Sequence, residues 1–304
     1  MKRTILTTLI LITTALAAAA QQFGCSWVSL PSADSTSQVW FRRTYVLPAR
    51  PRRAFVTVAS TGFFTLYVNG RNVSNAVRTP SRTPTDTLAR SMTFCADRFL
   101  RPDTNTVAVW YSPTFPRADS RQVSVCFHGT DSSGRPFAFW SDGTWLCRNA
   151  DMSLTAGGGE VQQAPADDWR WNGPDTRLAL WQHARETEGR SGESTADCQW
   201  LPQGARVSHI MAPRYFDEFG DSIVYDFGQG FYGTVRITLR DCVPGERINV
   251  DGLVYTCNGE NDEQAFRRFT AVFRRKVPVS GDRHFRPGQI QSVEALEMSD
   301  TPAF

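Results

Sequence analysis

Long apolar runs are missing from this 304-residue sequence after its N-terminal segment, so the sequence predicts no membrane span. Residues 1–20 combine a basic head, an apolar stretch from Ile5 to Leu16 and a final run of alanines, a pattern typical of a cleaved secretory signal. We therefore expect export to the periplasm or the medium. Gln22 and Phe23 are poor residues before a lipidated cysteine, which argues against a lipoprotein anchor at Cys25.

Lysine is scarce, and neither sign of charge is in excess. Lys276 is the only lysine after the predicted signal, and without Lys2 and Arg3 the chain carries 31 basic and 30 acidic side chains. Nucleic-acid-binding proteins present a clear basic surplus on one surface. The sequence therefore predicts no nucleic-acid partner.

The sequence has seven cysteines but no Cys-x-x-Cys spacing, which excludes the usual zinc and thioredoxin-type motifs. Export makes disulfides chemically possible. Cys126 and Cys147 flank one predicted hairpin, and Cys242 and Cys257 flank another, so these are the expected pairs. Buried, unreactive thiols are the alternative interpretation.

Several catalytic motifs are also absent. No Gly-x-Ser-x-Gly turn occurs, and no Gly-Lys-Ser/Thr follows the triple glycine at 157–159, so serine-hydrolase and phosphate-binding loops are not predicted. No histidine has a His or Cys partner at metal-ligand spacing. The sequence therefore predicts no transition-metal cofactor.

Carboxylates cluster at two turn-like places, which we interpret as solvated loops. One cluster comprises Asp217, Glu218 and Asp221, and the other lies within Asn258–Glu263. Glycoside hydrolysis needs two opposed carboxyl groups, and calcium needs several oxygen ligands. The spacing in Asn258–Glu263 fits no EF-hand, so a calcium site there is only an alternative and no cofactor is expected.

The chain is predicted to be all-β, because amphipathic helical patterns are hard to find and period-two alternation is frequent. Phe64, Leu66 and Val68 share one strand face, and the same pattern recurs in Val123–Phe127 and Val235–Leu239. Asn69-Gly70 is a strong hairpin turn signal. Short strands with frequent turns predict β-sandwiches.

The length after the signal fits two domains of ordinary size. The triple glycine at 157–159 is the expected boundary, which gives a first β-sandwich at 21–157 and a second at 158–304. A polar stretch around 186–197 is interpreted as an exposed loop of the second module. We also expect a last strand over Gln291–Glu297, with a helical turn as the alternative.

Aromatic residues are numerous, with nine tryptophans and twenty phenylalanines. A pyranose ring offers an apolar C–H face that stacks on an aromatic side chain, whereas core packing is the ordinary role of aromatics in sandwiches. Aromatics near strand ends and loops are therefore the candidate carbohydrate-binding residues, with Trp145 and Asp142 as the first choice. The full candidate set is Trp110, Tyr111, Trp140, Asp142, Trp145, Phe231 and Tyr232.

An ordered series of segments resembles the bacterial α-L-rhamnosidase family. Val39–Tyr45, Ala54–Gly70 and Leu100–Trp110 resemble the strands of its galactose-binding-like sandwich, and Phe137–Trp145 resembles the end of that sandwich. The strongest local match is Tyr225-Asp-Phe-Gly-Gln229, followed by Gly-Thr-Val-Arg236.

The resemblance implies two jelly-roll sandwich modules without the family's catalytic helical barrel, and so no position inherits a catalytic role. It favours a secreted, non-catalytic carbohydrate-binding or accessory module whose partners are rhamnose-containing or other glycans and glycan-degrading enzymes. The alternatives are a divergent or truncated α-L-rhamnosidase-type hydrolase, with Asp226, Glu260 or Glu263 to be tested, and a structural or interaction module.

Overall fold

A computed structural model describes residues 26–32, 34–81, 89–115, 121–163, 170–174, 176–188, 197–199 and 204–299. The predicted signal lies outside the described residues. In the described part, no helix has the length and apolar character needed to cross a membrane. The secondary structure there is almost entirely β-strand, with two short 3-10 helices at Asp97–Phe99 and Pro287–Gln289, so the predicted all-β fold is confirmed.

Twenty-two strands form two sheets within the described residues. The first half of the chain contains β1 Trp27–Ser29, β2 Ser37–Val46, β3 Arg53–Ser60, β4 Phe63–Val68, β5 Arg71–Asn72, β6 Arg90–Cys95, β7 Thr104–Ser112, β8 Val123–Thr130, β9 Pro136–Trp140, β10 Leu146–Leu154 and β11 Glu160–Gln163. The second half contains β12 Gln182–His183, β13 Arg185–Thr187, β14 Asp197–Gln199, β15 Arg206–Met211, β16 Tyr215–Phe219, β17 Ser222–Leu239, β18 Arg247–Val250, β19 Leu253–Thr256, β20 Glu263–Ala265, β21 Val272–Gly281 and β22 Ile290–Ser299.

The first module is a sandwich of the seven-stranded sheet and one part of the fifteen-stranded sheet. The seven-stranded sheet has the order β13-β1-β8-β3-β6-β14, with β9 paired to β8, and the facing layer is β12-β10-β2-β7-β4-β5. The predicted inward residues Phe64, Leu66 and Val68 are buried in the core between these layers. The turn signal is confirmed, because Asn69 and Gly70 have φ values of 53° and 80°.

The second module has its own hydrophobic core, which includes the predicted Val235, Ile237 and Leu239. The eighteen-residue strand β17 takes part in two groups of strands around this core. Its first part pairs with β16 and β21, and its last part pairs with β22 and β20. The expected last strand over Gln291–Glu297 is present within β22.

The fifteen-stranded sheet continues from the first module into the second. Antiparallel β10 and β11 are followed by β19, which pairs with β11 in parallel from Glu160–Leu253 to Gln163–Thr256. The triple glycine lies in the turn before β11 and is not a free linker. A Cβ on Gly159 would lie 2.1 Å from the carbonyl oxygen of Gly252, so the close contact of two backbones excludes a side chain there.

The expected boundary at 157 needs correction, because the chain returns to the first sandwich after β11. Strand β12 pairs with β10, β13 pairs with β1, and β14 pairs with β6. Ala184 is also buried in the first core. The polar stretch around 186–197 therefore has strands of the first sandwich at its ends, while residues 189–196 lie outside the described residues.

Candidate functional site

Three of the predicted carbohydrate-binding aromatics are core residues, which corrects their proposed role. Tyr111 and Trp145 are fully buried in the first sandwich, and Phe231 is buried in the second. A ring without an exposed face cannot stack on a sugar. Asp142 remains exposed, but its carboxylate accepts the backbone N–H of Thr144 at 2.8 Å and so closes the turn before Trp145.

Two other candidates are exposed but isolated. Trp140 is 36% exposed on β9, and Tyr232 is 43% exposed on β17, where its hydroxyl accepts a 3.4 Å hydrogen bond from Arg78 Nη2. Neither residue lines either of the two cavities beside Trp110. The structure therefore does not assemble the predicted set into one site.

Trp110 is the candidate that the structure places in a cavity. It lies on β7 next to Tyr111, and alternation turns it away from the first core, toward the second module. Its Nε1 donates to Gln38 Oε1 at 2.9 Å, which fixes the orientation of the indole. Trp110 meets Trp40 edge to face with ring centroids 5.9 Å apart, and Trp40 stacks on Trp171 at 4.7 Å.

A cleft runs between the two modules beside these tryptophans and contains two adjoining cavities of about 300 and 330 Å3. The two cavities share Tyr67, Phe266 and Arg268 as walls. The first-named cavity, which we call the tryptophan cavity, is lined by Trp40, Tyr67, Trp110, Met152, Gln162, Gln163, Trp171, Asn172, Tyr255, Gln264, Phe266 and Arg268. The second, the β4–β5 cavity, is lined by Thr65, Tyr67, Asn72, Ser74, Asn75, Ala76, Val77, Thr234, Phe266, Arg267, Arg268, Leu296 and Met298.

The rings of this cleft differ in how much surface they expose. The three tryptophans are about 5% exposed and form its floor, whereas Tyr67 and Phe266 are half-buried and keep part of their surface accessible. Burial raises the pKa of Tyr67, so its phenol stays protonated at neutral pH. Aromatic walls with a few convergent amides are the usual composition of a small-ligand pocket.

The loop Phe266–Thr270 brings the second module's residues to the cleft, and buried Glu160 holds this loop in place. The carboxylate of Glu160 accepts the backbone N–H groups of Arg268 at 3.1 Å, Phe269 at 2.9 Å and Thr270 at 2.8 Å. It also accepts the Thr270 hydroxyl at 2.7 Å. A carboxylate with this many donors satisfies backbone groups that burial would otherwise leave unpaired.

Arg267 anchors the same loop from the other side. Its guanidinium is buried and donates to the carbonyl oxygens of Asp251 at 3.0 Å and Gly158 at 2.6 Å. The desolvation of this site lowers the pKa of Arg267 from its ordinary value. The neighbouring Phe269 packs edge to face on Trp110 at 5.7 Å. The loop is therefore tied to both modules.

Sequence reasoning missed most of the cleft. Strand alternation opposite Phe64, Leu66 and Val68 places Tyr67 on an outward face without marking it as a ligand contact, and no motif singles out Phe266-Arg-Arg-Phe269. The available signal was the alternation of aromatics with arginines in this short run. Its partners lie far away in the sequence, so the run alone does not locate the cleft.

The two expected cysteine pairs have different geometry. Cys242 and Cys257 are buried free thiols joined by a side-chain hydrogen bond, and burial raises the pKa of Cys242 to about 11. Their pairing stays a prediction. Cys126 and Cys147 lie in different sheets, and only Cys147 belongs to the core of the first sandwich. Alternation turns Cys126 to the opposite face of β8 from that core, so the structure argues against this pair.

The carboxylate clusters have structural roles or face solvent. Glu263 accepts hydrogen bonds from the Tyr255 hydroxyl and from the backbone of Asn258 and Gly259, and Asp262 pairs with Arg240 at 2.6 Å. Asp217, Glu218 and Asp221 are exposed at the β16–β17 hairpin, as expected. Within the described ranges, no group of three His, Cys, Asp or Glu side chains is arranged to hold a metal.

Asp226 is a buried carboxylate on β17. It accepts the Tyr215 hydroxyl at 2.6 Å, the Gly228 N–H at 2.7 Å and Arg275 Nε at 3.1 Å. These donors, led by Tyr215, hold the pKa of Asp226 well below its usual range. The carboxylate is therefore ionised and fully engaged, as expected of a structural centre.

Searches against protein-family profiles and curated proteins give no match. Among solved structures, an α-L-rhamnosidase from Dictyoglumus thermophilum aligns over 91% of this chain and 36% of that chain, with a TM-score of 0.77 and 19% identity. The Streptomyces avermitilis α-L-rhamnosidase complexed with L-rhamnose aligns over 86% and 28%, at a TM-score of 0.75 and 19% identity.

The chain has the fold of part of an α-L-rhamnosidase. An Aspergillus terreus α-L-rhamnosidase supports the same conclusion, since it aligns over 90% of this chain and 36% of that chain, at a TM-score of 0.75 and 17% identity. The resemblance inferred from the sequence is thus confirmed for the fold. The chain spans about a third of the length of these rhamnosidases, and identities this low establish the shared fold alone.

Proposed function

We propose that the protein binds carbohydrate in the cleft between its two modules and has no catalytic role. The observation that carries this proposal is the composition of the tryptophan cavity, where aromatic rings meet the amides of Gln162, Gln163, Asn172 and Gln264. Partly exposed rings such as Tyr67 and Phe266 suit the C–H face of a sugar, and the amides suit its hydroxyls.

Sugars that contain L-rhamnose are the first ligands to test, because the fold is shared with α-L-rhamnosidases. Isothermal titration of the protein with rhamnose-bearing oligosaccharides is expected to show saturable binding. Tyr67→Ala should weaken it by about fivefold or more, since a well-placed aromatic contributes about 1 kcal/mol or more. Tyr232→Ala is the matched control, because that tyrosine is exposed and lines neither cavity.

The absence of catalysis is supported by the walls of the cleft. Hydrolysis of a glycoside requires two carboxyl groups across the scissile bond, and among the described residues neither cavity is lined by an aspartate or glutamate. Purified protein is therefore expected to release no chromophore from an aryl α-L-rhamnoside. Turnover that disappears in Asp226→Asn, Glu260→Gln or Glu263→Gln would overturn this part of the proposal.

We further propose that the protein is exported and that Gln21 is the first residue after cleavage. This proposal is supported by the basic head, apolar stretch and alanine run of residues 1–20. Mass spectrometry of the protein recovered from the periplasm or medium should give the mass of a chain that begins at Gln21. Retention of residues 1–20 in a cytoplasmic product would contradict it.

An interaction role is the second candidate, and the edge strand β16 favours it. All five of its residues are exposed, and Phe216 and Phe219 are 53% and 59% exposed. An exposed apolar edge strand is suited to pairing with another chain. Light scattering after size exclusion would show self-association that Phe216→Asp and Phe219→Asp abolish, whereas a monomer at all concentrations would exclude self-association through this edge.

A further inference from the structure

Arg268 lies in the cleft with its guanidinium against two aromatic rings. Its guanidinium carbon lies 4.7 Å from the centre of the Trp110 ring and 4.8 Å from the centre of the Phe266 ring. In the part of the chain that the structure describes, no carboxylate forms an ion pair with this side chain. Only its backbone N–H is used, by Glu160.

Three nearby arginines of the second module are engaged, unlike Arg268. Arg267 donates to two carbonyl oxygens, Arg274 pairs with Asp251 at 2.8 Å, and Arg275 pairs with Asp226 at 3.1 Å. Contacts with aromatic rings engage the face of a guanidinium and leave the N–H donors around its edge free to bind. Arg268 is thus held in place by its ring contacts, and among the described residues nothing accepts a hydrogen bond from its guanidinium.

The charge of Arg268 lies where the proposed ligand would bind. Arg268, Tyr67 and Phe266 form walls of both cavities, so the guanidinium lies where the two cavities adjoin. A glycan of two or more residues that extends from one cavity into the other passes this side chain. No described acidic residue in the cleft walls competes for the guanidinium.

We propose that the cleft recognises an acidic oligosaccharide and that Arg268 binds the carboxylate of a uronic acid residue. This inference rests on the proposed carbohydrate-binding function and names its ligand class. A guanidinium fork matches the two oxygens of a carboxylate, and such charge-assisted hydrogen bonds are stronger than those to neutral hydroxyls. Neutral sugars would fill the aromatic part of the cleft without using this charge.

The test is a titration with two ligands that differ only in charge, a galacturonic acid trisaccharide and its fully methyl-esterified form. Wild-type protein is expected to bind the acid at least about tenfold more tightly than the ester. Arg268→Gln should remove this preference by weakening the acid and leaving the ester nearly unchanged. Arg283→Gln removes the same charge from an exposed arginine outside the cleft and should retain the preference.

Thermal unfolding of each variant checks that the fold is intact. Equal binding of acid and ester by the wild type, or a preference that survives in Arg268→Gln, would overturn the inference and leave the carbohydrate-binding proposal standing. Binding of neutral rhamnose-bearing oligosaccharides alone would have the same consequence. Failure to bind any glycan would overturn both proposals together.

Discussion

At the scale of single residues, Trp110 and Tyr111 show that two adjacent side chains of one strand can have different roles. Both lie near the end of β7, but Tyr111 is buried in the sandwich core and Trp110 lines the cleft. The sequence does not distinguish them, because both strand faces carry large aromatic side chains. Which face of β7 points toward the second module follows only from the register of β7 with β2, where Trp40 pairs with Trp110.

The first prediction concerns Trp145, the first-choice sugar platform from the sequence. Because its side chain is fully buried in the first core, Trp145→Ala should lower the free energy of unfolding by about 3–5 kcal/mol. Trp140→Ala, at a site 36% exposed, should cost about 1 kcal/mol or less. Chemical denaturation of both variants measures the difference, and equal small losses would contradict the buried position of Trp145.

The second prediction concerns pH and Asp226. Its pKa is lowered in the folded protein, mainly by the Tyr215 hydroxyl, so its contribution to stability is present above the unfolded pKa of about 4 and is lost as pH falls through the folded pKa. Asp226→Asn should therefore destabilise the protein at pH 7. The difference from wild type should shrink as the pH falls below about 4.

Denaturation curves of wild type and Asp226→Asn at pH 7 and pH 3 provide the measurement. Asp217→Asn is the control, because that carboxylate is exposed on β16 and should show little difference at either pH. A difference for Asp226→Asn that stays constant or grows on acidification would contradict the engaged, ionised carboxylate.

At the scale of elements, the strands could be predicted and their partners could not. Period-two alternation located the core faces of β4, β8 and β17, since one face of each strand packs inward. The strands β12, β13 and β14 have two or three residues each, and their pairing with the first sandwich depends on contacts distant in sequence. The boundary expected at the triple glycine was wrong for this reason.

The third prediction concerns the loop Phe266–Thr270, which Glu160 organises. Glu160→Ala leaves several buried N–H groups without an acceptor and should lower the free energy of unfolding by about 1–3 kcal/mol or more. It should also weaken glycan binding, because Phe266 and Arg268 lose their fixed positions. Glu160→Gln keeps one acceptor and should fall between the wild type and Glu160→Ala.

Calorimetric unfolding and glycan titration measure the two effects of the Glu160 variants. Glu218→Ala is the matched control, because that glutamate is exposed on β16 and remote from the loop in sequence. Loss of stability with unaltered binding would show that Glu160 supports the fold without positioning the cleft residues.

At the scale of the whole molecule, the two modules share one continuous sheet and a set of interlocking contacts. The parallel pairing of β11 with β19 joins the modules through backbone hydrogen bonds, and Arg267 and Phe269 add side-chain contacts with the other module. Folding of one module therefore depends on the other more than in a protein with a flexible linker.

The fourth prediction follows from this shared sheet. Scanning calorimetry should show one cooperative unfolding transition for both modules, and Glu160→Ala should move that whole transition to lower temperature. Two well-separated transitions, with only one of them shifted by the variant, would contradict cooperative unfolding of the two modules.

The sequence was sufficient for the all-β class and the resemblance to α-L-rhamnosidases, because these depend on local alternation and ordered motifs. The cleft was not predictable, since it combines Tyr67 of β4, Trp171 and the loop at Phe266, which are distant in the chain. Of the seven predicted site residues, only Trp110 lines the cleft. Burial of Tyr111, Trp145 and Phe231 is decided by packing that no single strand reveals.

The most direct test of the central claim is a crystal structure of the protein with the tightest-binding oligosaccharide found by titration. We expect the sugar between the modules, with its rings against Tyr67 and Phe266 and an acidic group, where present, at Arg268. Density for the sugar at another surface, or an empty cleft in a complex saturated in solution, would contradict the assignment of the cleft as the carbohydrate-binding site.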